Sequence, residues 1–266
     1  MTHAKQLGFW MCLALVIGNM IGSGVFLLPA SLAPYGLNSV MGWVLTAIGS
    51  LLLASVFSVL SKAFPKEHGP YAYTRLAFGD LVGFISAWGY WVAVWVGNAA
   101  VATASVSYLS NLMPWIAEMP GASTVVTLGF VWLFTVINLR GAHETGTLQI
   151  VTTVLKLMPL LAVAGLGIFL AASGDTRLNT AALQQHTFTW DAVTASATLT
   201  LWAFLGLESA AVASEKVIDP ERNIPRATLW GTLIAAAVYV VSCTVVILLI
   251  PSDQLASSNA PFADAV

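Results

Sequence analysis

The sequence has very little charge: Asp, Glu, Lys and Arg make up only 8% of its 266 residues, whereas 58% are hydrophobic. Soluble domains carry about 25% charged residues. This composition therefore excludes an ordinary water-soluble protein and indicates a chain with several membrane spans. The formal net charge is −2, and a chain with so few basic residues offers no surface suited to nucleic acid.

Residues for metal or catalytic chemistry are also scarce. The two cysteines, Cys12 and Cys243, lie within apolar runs and are predicted to be packing residues rather than a disulfide or a metal pair. The four histidines lie in terminal or loop stretches without the spacing of metal ligands. The sequence contains no P-loop, GxSxG or HExxH motif. We therefore expect no metal, no cofactor, no enzymatic activity and no nucleic acid partner.

Long apolar runs dominate the chain. Seven segments approach the ~20 residues that a helix needs to cross a bilayer. Alternating strands of about ten residues are lacking, so the spans are predicted to be helices. The predicted spans cover about residues 8–34, 40–62, 81–112, 122–140, 147–172, 192–215 and 226–250.

The basic residues predict how these spans are oriented. If the spans alternate, eight of the ten basic residues fall on one side, one falls on the other, and Lys156 lies within a span. Positive charge collects on the cytoplasmic side of membrane proteins. We therefore expect a multi-pass protein of the cell membrane with a cytoplasmic N-terminus and with residues 251–266 outside. Tryptophans near span ends, including Trp43, are predicted to be interfacial anchors.

Two of the predicted spans contain weak points at membrane depth. Span one has three glycines in residues 18–24, and each weakens a helix by about 1 kcal/mol relative to alanine. Span six has Gly206 followed by the acid Glu208. Paired interrupted helices indicate a transporter site, because their freed amides attract a carboxylate and their freed carbonyls attract an ammonium group. Close helix packing by small residues is the alternative.

Two ionisable side chains lie where lipid would surround the chain. Glu208 is about 9–10 Å from the cytoplasmic end of its span, and Lys156 about 14 Å from the end of span five. A central charge costs about 2.5–3.5 kcal/mol on insertion scales, so each must face protein, water or an ion. We predict a gating or coupling role for Glu208 and an ion-site or proton-shuttle role for Lys156. A structural hydrogen-bonding role in the broken helices is the alternative for both.

Three further side chains belong to the candidate site. Tyr90 and Asn98 lie on one helical face of span three. Asn98 is either a helix–helix hydrogen bond or a substrate contact. Trp202 lies one turn before Gly206, where an indole face would attract an ammonium or guanidinium group. A core aromatic is the alternative for Trp202.

An ordered set of motifs resembles the amino acid–polyamine–organocation superfamily, in particular its basic amino acid/polyamine antiporters. The motifs are GNMIGSGVFLLPA (18–30), GPYAYTRLAFG (69–79), YWVAVWVGN (90–98), TLWAFLGLESA (200–210), DPERNIPRAT (219–228) and NAPFADA (259–265). The resemblance implies an all-α integral membrane protein with a five-plus-five inverted-repeat transporter fold. Its first five-helix repeat would cover 1–172, the first two helices of its second repeat 192–250, and the start of an extracytoplasmic loop 251–266. The family's fold has more spans than the seven predicted here, so we expect a fold truncated after span seven.

The resemblance also implies where the substrate binds. The GSG of span one would bind the substrate carboxylate beside the edge of the break, and backbone carbonyls of span six would take the α-ammonium. The residues concerned are Ile21, Gly22, Ser23 and Gly24 in span one and Ala203 and Leu205 in span six. Some members of the family have a serine at position 203, so Ala203 lacks one polar contact.

Side-chain roles follow from the same resemblance. Trp202 would stack on the aliphatic stem of the substrate, and Asn98 would contact its distal end. Tyr90 would be a gate residue, and Glu208 would serve recognition, pH sensing or coupling. Lys156 is a departure from the antiporters. It resembles the proton-coupled members of the superfamily, in which the ammonium occupies the position of a sodium ion.

These features predict a secondary transporter that moves amino acids across the plasma membrane by alternating access, with cationic amino acids or polyamines as the expected substrates. Exchange and proton-influenced transport both remain open. A neutral amino acid/proton symporter and a truncated relative that does not transport are the alternatives. The expected partners are the amino acid or polyamine substrate and the lipid bilayer, and a homodimer is an open alternative.

Overall fold

The computed structural model describes residues 7–65, 67–140, 142–178 and 187–265, and these residues are almost entirely helical. Residues 1–6 of the predicted first repeat and residue 266 of the predicted extracytoplasmic loop lie outside the described residues. The helices are α1 (Phe9–Met20), α2 (Ser23–Leu32), α3 (Leu37–Ala63), α4 (Pro70–Phe78), α5 (Asp80–Leu112), α6 (Trp115–Glu118), α7 (Ala122–Asn138), α8 (Ala142–Ser173), α9 (Trp190–Leu201), α10 (Ser209–Val212), α11 (Pro220–Leu249), α12 (Ser252–Ala256) and α13 (Pro261–Asp264). The prediction of an all-α membrane protein is confirmed.

Six helical segments in the described ranges are long and apolar enough to cross a bilayer. They are Phe9–Tyr35, Leu37–Ala63, Asp80–Leu112, Thr145–Ser173, Trp190–Val212 and Pro220–Leu249. The fourth predicted span corresponds to α7, an apolar helix of 17 residues. At 1.5 Å per residue it is about 25 Å long, somewhat shorter than a hydrocarbon core of about 30 Å.

Both weak points in the sequence are breaks in the structure. Span one leaves the helix at Ile21 and Gly22, whose backbones are extended, and resumes as α2. Span six tightens into a 3-10 turn over Trp202–Phe204, extends at Leu205, and turns at Gly206 with a φ of +109°. That φ is costly for any residue with a Cβ, so the turn requires glycine at position 206.

The two broken spans are held in one bundle with α3, α8 and α11. The long helix α11 packs along α3 and α1, α3 also packs along α9, and α8 packs along α1 and α11. The helix α5 packs against α4 and α7, and it also contacts α2. Cys12 and Cys243 are free and buried in the core, as predicted.

Trp43 is fully buried rather than interfacial. Its ring centroid lies 6.1 Å from that of Phe204 in the 3-10 turn and 5.5 Å from that of Tyr239 on α11. The prediction of an interfacial anchor at this position is wrong, because α11 covers the face of α3 that carries the indole. The ring instead packs against the 3-10 turn at the break of span six.

Candidate functional site at the two helix breaks

The two breaks touch each other directly. A Cβ added to Gly206 would lie 2.9 Å from the carbonyl carbon of Asn19 and 2.9 Å from its Cβ. The Asn19 side-chain amide donates to the Ser209 hydroxyl over 2.8 Å, and that hydroxyl donates to the Gly206 carbonyl over 2.6 Å. The end of α1 is therefore tied to the start of α10. We did not predict Asn19 or Ser209 as site residues, although each is a polar residue next to a break.

A second contact joins the start of α2 to the 3-10 turn of span six. A Cβ added to Gly24 would lie 2.9 Å from the Ala203 Cα and 2.9 Å from the Trp202 Cδ1. The Trp202 indole N–H donates to the buried Ser23 hydroxyl over 3.2 Å. The glycine thus permits the close approach, and the hydrogen bond fixes the indole across the gap between the breaks.

The breaks free backbone groups of both polarities. Gly22 precedes α2, and no side chain caps this N-terminus. The first amides of a helix have no intrahelical acceptors, and this end of a helix favours anions. In span six, the carbonyls of Ala203 and Leu205 accept none of the turn and loop hydrogen bonds formed by the described residues. Donors for a carboxylate and acceptors for an ammonium group therefore lie on adjacent segments.

The helix α5 lines the two breaks from the side. A Cβ added to Gly97 would lie 3.8 Å from the Trp202 Cη2, and one added to Gly22 would lie 3.3 Å from a Val101 methyl group. Asn98 follows Gly97 and is exposed. The face of α5 predicted from the spacing therefore does border the breaks.

Glu208 bonds to its own break and contacts α5. Its carboxylate accepts the Gly206 backbone N–H over 3.2 Å, and Tyr90 of α5 lies close to the same carboxylate. The side chain is half-buried. Glu208 is thus placed to stabilise the turn at Gly206 beside α5.

Lys156 bonds to a carbonyl that the first break has freed. Its ammonium donates to the Gly18 carbonyl over 3.0 Å. In an unbroken helix this carbonyl would accept from the amide of residue 22, but the chain is extended there. No carboxylate lies within ion-pairing distance of Lys156 in the part of the chain that the structure describes.

The same polar face of α8 is fitted closely onto α1. Thr153 donates to the Ala14 carbonyl over 3.0 Å, and Gln149 donates to it over 3.4 Å. A Cβ added to Gly18 would collide with the Gln149 amide nitrogen and with the Thr153 hydroxyl oxygen. The absence of a side chain at Gly18 therefore lets α8 reach the backbone of α1.

Comparison with known proteins decides the family. A family model described as amino acid permease matches residues 7–266. The chain belongs to the amino acid permease family. This membership agrees with the resemblance carried by the six motifs and with the all-α membrane fold.

Relatives of this permease chain include polyamine carriers. It is 38% identical to the cadaverine/lysine antiporter of Escherichia coli (strain K12), over 99% of this chain and 58% of that protein. It is 36% identical to the putrescine transporter PotE of the same organism, over 98% of this chain and 60% of that protein. The PotE of Haemophilus influenzae is 35% identical, over 98% and 59% respectively. The permease chain therefore spans about six tenths of the length of these relatives.

Proposed function

We propose that the complete protein is a secondary transporter that exchanges cationic amino acids or polyamines across the plasma membrane. The observation that carries the proposal is the direct contact of two broken spans, which places uncapped amides and free carbonyls beside one indole. The relatives that are named a cadaverine/lysine antiporter and a putrescine transporter support this substrate class.

The proposed substrate site lies between the breaks. Amides at the start of α2 bind the carboxylate, and carbonyls at the end of the 3-10 turn bind the α-ammonium. The Trp202 ring packs on the aliphatic stem, and the exposed Asn98 amide meets the distal end. A diamine, which has no carboxylate, uses the carbonyls and the indole but not the amides. The backbone groups belong to Ile21, Gly22, Ser23, Gly24, Ala203 and Leu205.

Tyr90 and Glu208 form the proposed gate. The contact between them links α5 to the turn of span six. A movement of α5 that separates the phenol from the carboxylate changes the environment of the acid. In this way substrate access is coupled to the contact between Tyr90 and Glu208.

Lys156 supports a second candidate, a proton-coupled symporter of neutral amino acids. Its ammonium holds the Gly18 carbonyl at the end of α1, so loss of its proton would weaken the attachment of α8 to the first break. A fixed structural role is the alternative. Dependence of flux on a pH gradient without a counter-substrate favours symport over exchange.

We also propose the arrangement expected from the sequence for the complete protein. Residues 1–172 form the first repeat, 192–250 begin the second, and 251–266 enter an extracytoplasmic loop, with the N-terminus in the cytoplasm. The supporting observation is the one-sided distribution of basic residues. Labelling of single cysteines placed at residues 67–69 and in the segment 251–260 by an impermeant reagent on intact cells tests the orientation.

The transport experiment uses the protein produced from its complete gene in proteoliposomes. Labelled lysine, arginine, ornithine, cadaverine, putrescine and a neutral amino acid are offered, with and without internal counter-substrate. Exchange predicts saturable uptake of a cationic substrate only when a counter-substrate is inside. Trp202→Ala should raise the concentration for half-maximal uptake, whereas Trp190→Ala, an exposed indole at the start of α9, should not. No saturable flux of any substrate would refute the proposal and leave a non-transporting relative.

A further inference from the structure

Three segments meet near Leu7, just before the start of α1. Leu7 pairs with the segment after α10: its N–H donates to the Lys216 carbonyl over 2.9 Å, and the Ile218 N–H donates to the Leu7 carbonyl over 2.9 Å. The loop between α3 and α4 presses on the same region, since a Cβ added to Gly69 would lie 2.9 Å from a Val212 methyl group. The 3-10 turn Ser214–Lys216 is therefore packed between the α3–α4 loop and Leu7.

His68 in that loop bonds to this turn through both ring nitrogens. Its Nδ1 lies 2.8 Å from the Ser214 hydroxyl oxygen, and its Nε2 lies 3.0 Å from a carboxylate oxygen of Glu215. The Ser214 hydroxyl is buried and donates to the Glu67 backbone carbonyl over 3.1 Å. The four groups form a continuous network between the two segments.

Counting the protons in this network determines the charge that it requires. The single hydroxyl proton of Ser214 is used on the Glu67 carbonyl, so the His68 Nδ1 must donate to the Ser214 oxygen. An ionised Glu215 carboxylate can only accept, so the His68 Nε2 must donate as well. An imidazole with two N–H groups carries a positive charge, whereas a neutral ring, with one donor and one acceptor nitrogen, allows only two of the three hydrogen bonds of the network.

We propose that His68, Ser214 and Glu215 form a proton-operated latch, closed when the imidazole binds a second proton and loosened when it releases it. Histidine is the side chain that ordinarily changes charge between about pH 5 and pH 8. The latch ties the α3–α4 loop to the residues directly after α10, the second half of broken span six. Protonation on this face therefore restrains that half-helix, and this effect does not depend on the identity of any substrate.

Of the charged residues near His68, Glu215 is the one that pairs with its ring. The neighbouring acid Glu67 faces Tyr73 of α4, where burial and then the charge of Glu67 raise the pKa of the phenol. Arg226 on α11 lies over the Phe9 ring, 5.2 Å from its centroid. Lys216 follows Glu215 in the turn and donates no hydrogen bond to the described network.

Hydrogen exchange measured by mass spectrometry on the purified chain in nanodiscs tests the latch. Peptides covering 64–72 and 210–219 are compared at pH 5.5 and pH 8 after correction for intrinsic exchange rates. We expect about two- to fivefold faster exchange in both peptides at pH 8. The effect is small because the His68–Glu215 pair is about half exposed, and exposed ion pairs contribute only modestly to stability. Equal corrected rates at the two pH values would overturn the proposal.

Two variants separate the latch from a general effect of pH. His68→Gln has no titrating ring, so its exchange should not change with pH. Glu215→Gln keeps the shape of the side chain, and its amide can donate to a neutral Nε2, so protection should persist at pH 8. The matched control is Glu221→Gln in the first turn of α11, which should retain the response of the unmodified chain. A full pH response in His68→Gln would overturn the proposal even if the other variant unfolds.

Discussion

Replacing Gly206 by alanine tests whether the contact between the two breaks holds the bundle together. The φ of +109° at this position is sparsely populated by residues with a Cβ, and such strain costs about 1–3 kcal/mol. The added methyl carbon would also lie 2.9 Å from the Asn19 carbonyl carbon and 3.1 Å from its oxygen. Crowding of a packed site costs about 1–3 kcal/mol more.

The sum predicts that Gly206→Ala lowers the free energy of unfolding by about 2–6 kcal/mol. The measurement is reversible unfolding of the purified chain in mixed micelles, supported by the melting temperature. In a chain of this size, about 2–4 °C of melting temperature is lost for each kcal/mol. The hydrogen bond between Asn19 and Ser209 should weaken with it, because the methyl group pushes the two segments apart.

Gly165→Ala on α8 is the matched control. No atom lies within 4 Å of a Cβ placed there, and its φ is that of an ordinary helix. Alanine is favoured over glycine in a helix by about 1 kcal/mol, so this variant should be neutral or more stable. If Gly206→Ala unfolds within about 0.5 kcal/mol of the unmodified chain, the argument that glycine is required for this contact is refuted.

Three other predictions follow from the same geometry. Asn19→Ala and Ser209→Ala should show a coupling energy of about 0.5–1.5 kcal/mol in a double-mutant cycle of unfolding free energies, and additive effects would contradict their hydrogen bond. In the flux assay, Lys156→Ala should abolish or uncouple transport and Lys156→Arg should fail to restore it, whereas rates of the unmodified protein in Lys156→Ala would exclude an ion-site role. Gly18→Ala should destabilise the chain by about 1–3 kcal/mol in the unfolding assay, because the methyl group displaces Gln149 and Thr153; stability equal to that of Gly165→Ala would contradict this.

The helices and the positions of their breaks could be predicted from the local sequence. Apolar run length determines where a helix can cross a bilayer, and the glycines of 18–24 and Gly206 mark where it is weakest. The position of Lys156 within a long apolar helix was likewise predictable from the sequence. Its acceptor was not, because the free carbonyl of Gly18 arises only after the chain has left the helix at Gly22.

Contacts between distant segments could not be predicted from local pattern. Asn19 and Ser209 are 190 residues apart, and nothing in either neighbourhood specifies the other. Trp43 is a second example. Its position near the start of predicted span two suggested that it lies at the membrane–water interface. Its burial depends instead on which face of α3 meets α11. The two helices are far apart in the chain, so the local sequence does not indicate that they pack together.

The hydrogen bond from the Trp202 indole to the Ser23 hydroxyl has a consequence for affinity. A ligand that accepts the hydroxyl proton, or donates to the second lone pair of the oxygen, need not disturb the indole, but one that takes the place of the indole must first displace its N–H. A ligand that replaces one hydrogen bond by another gains only about 0.5–1.5 kcal/mol of net binding free energy. The two spans therefore keep the polar groups at their junction partly satisfied by each other. A solute that enters the junction gains little from each contact and is correspondingly easy to release.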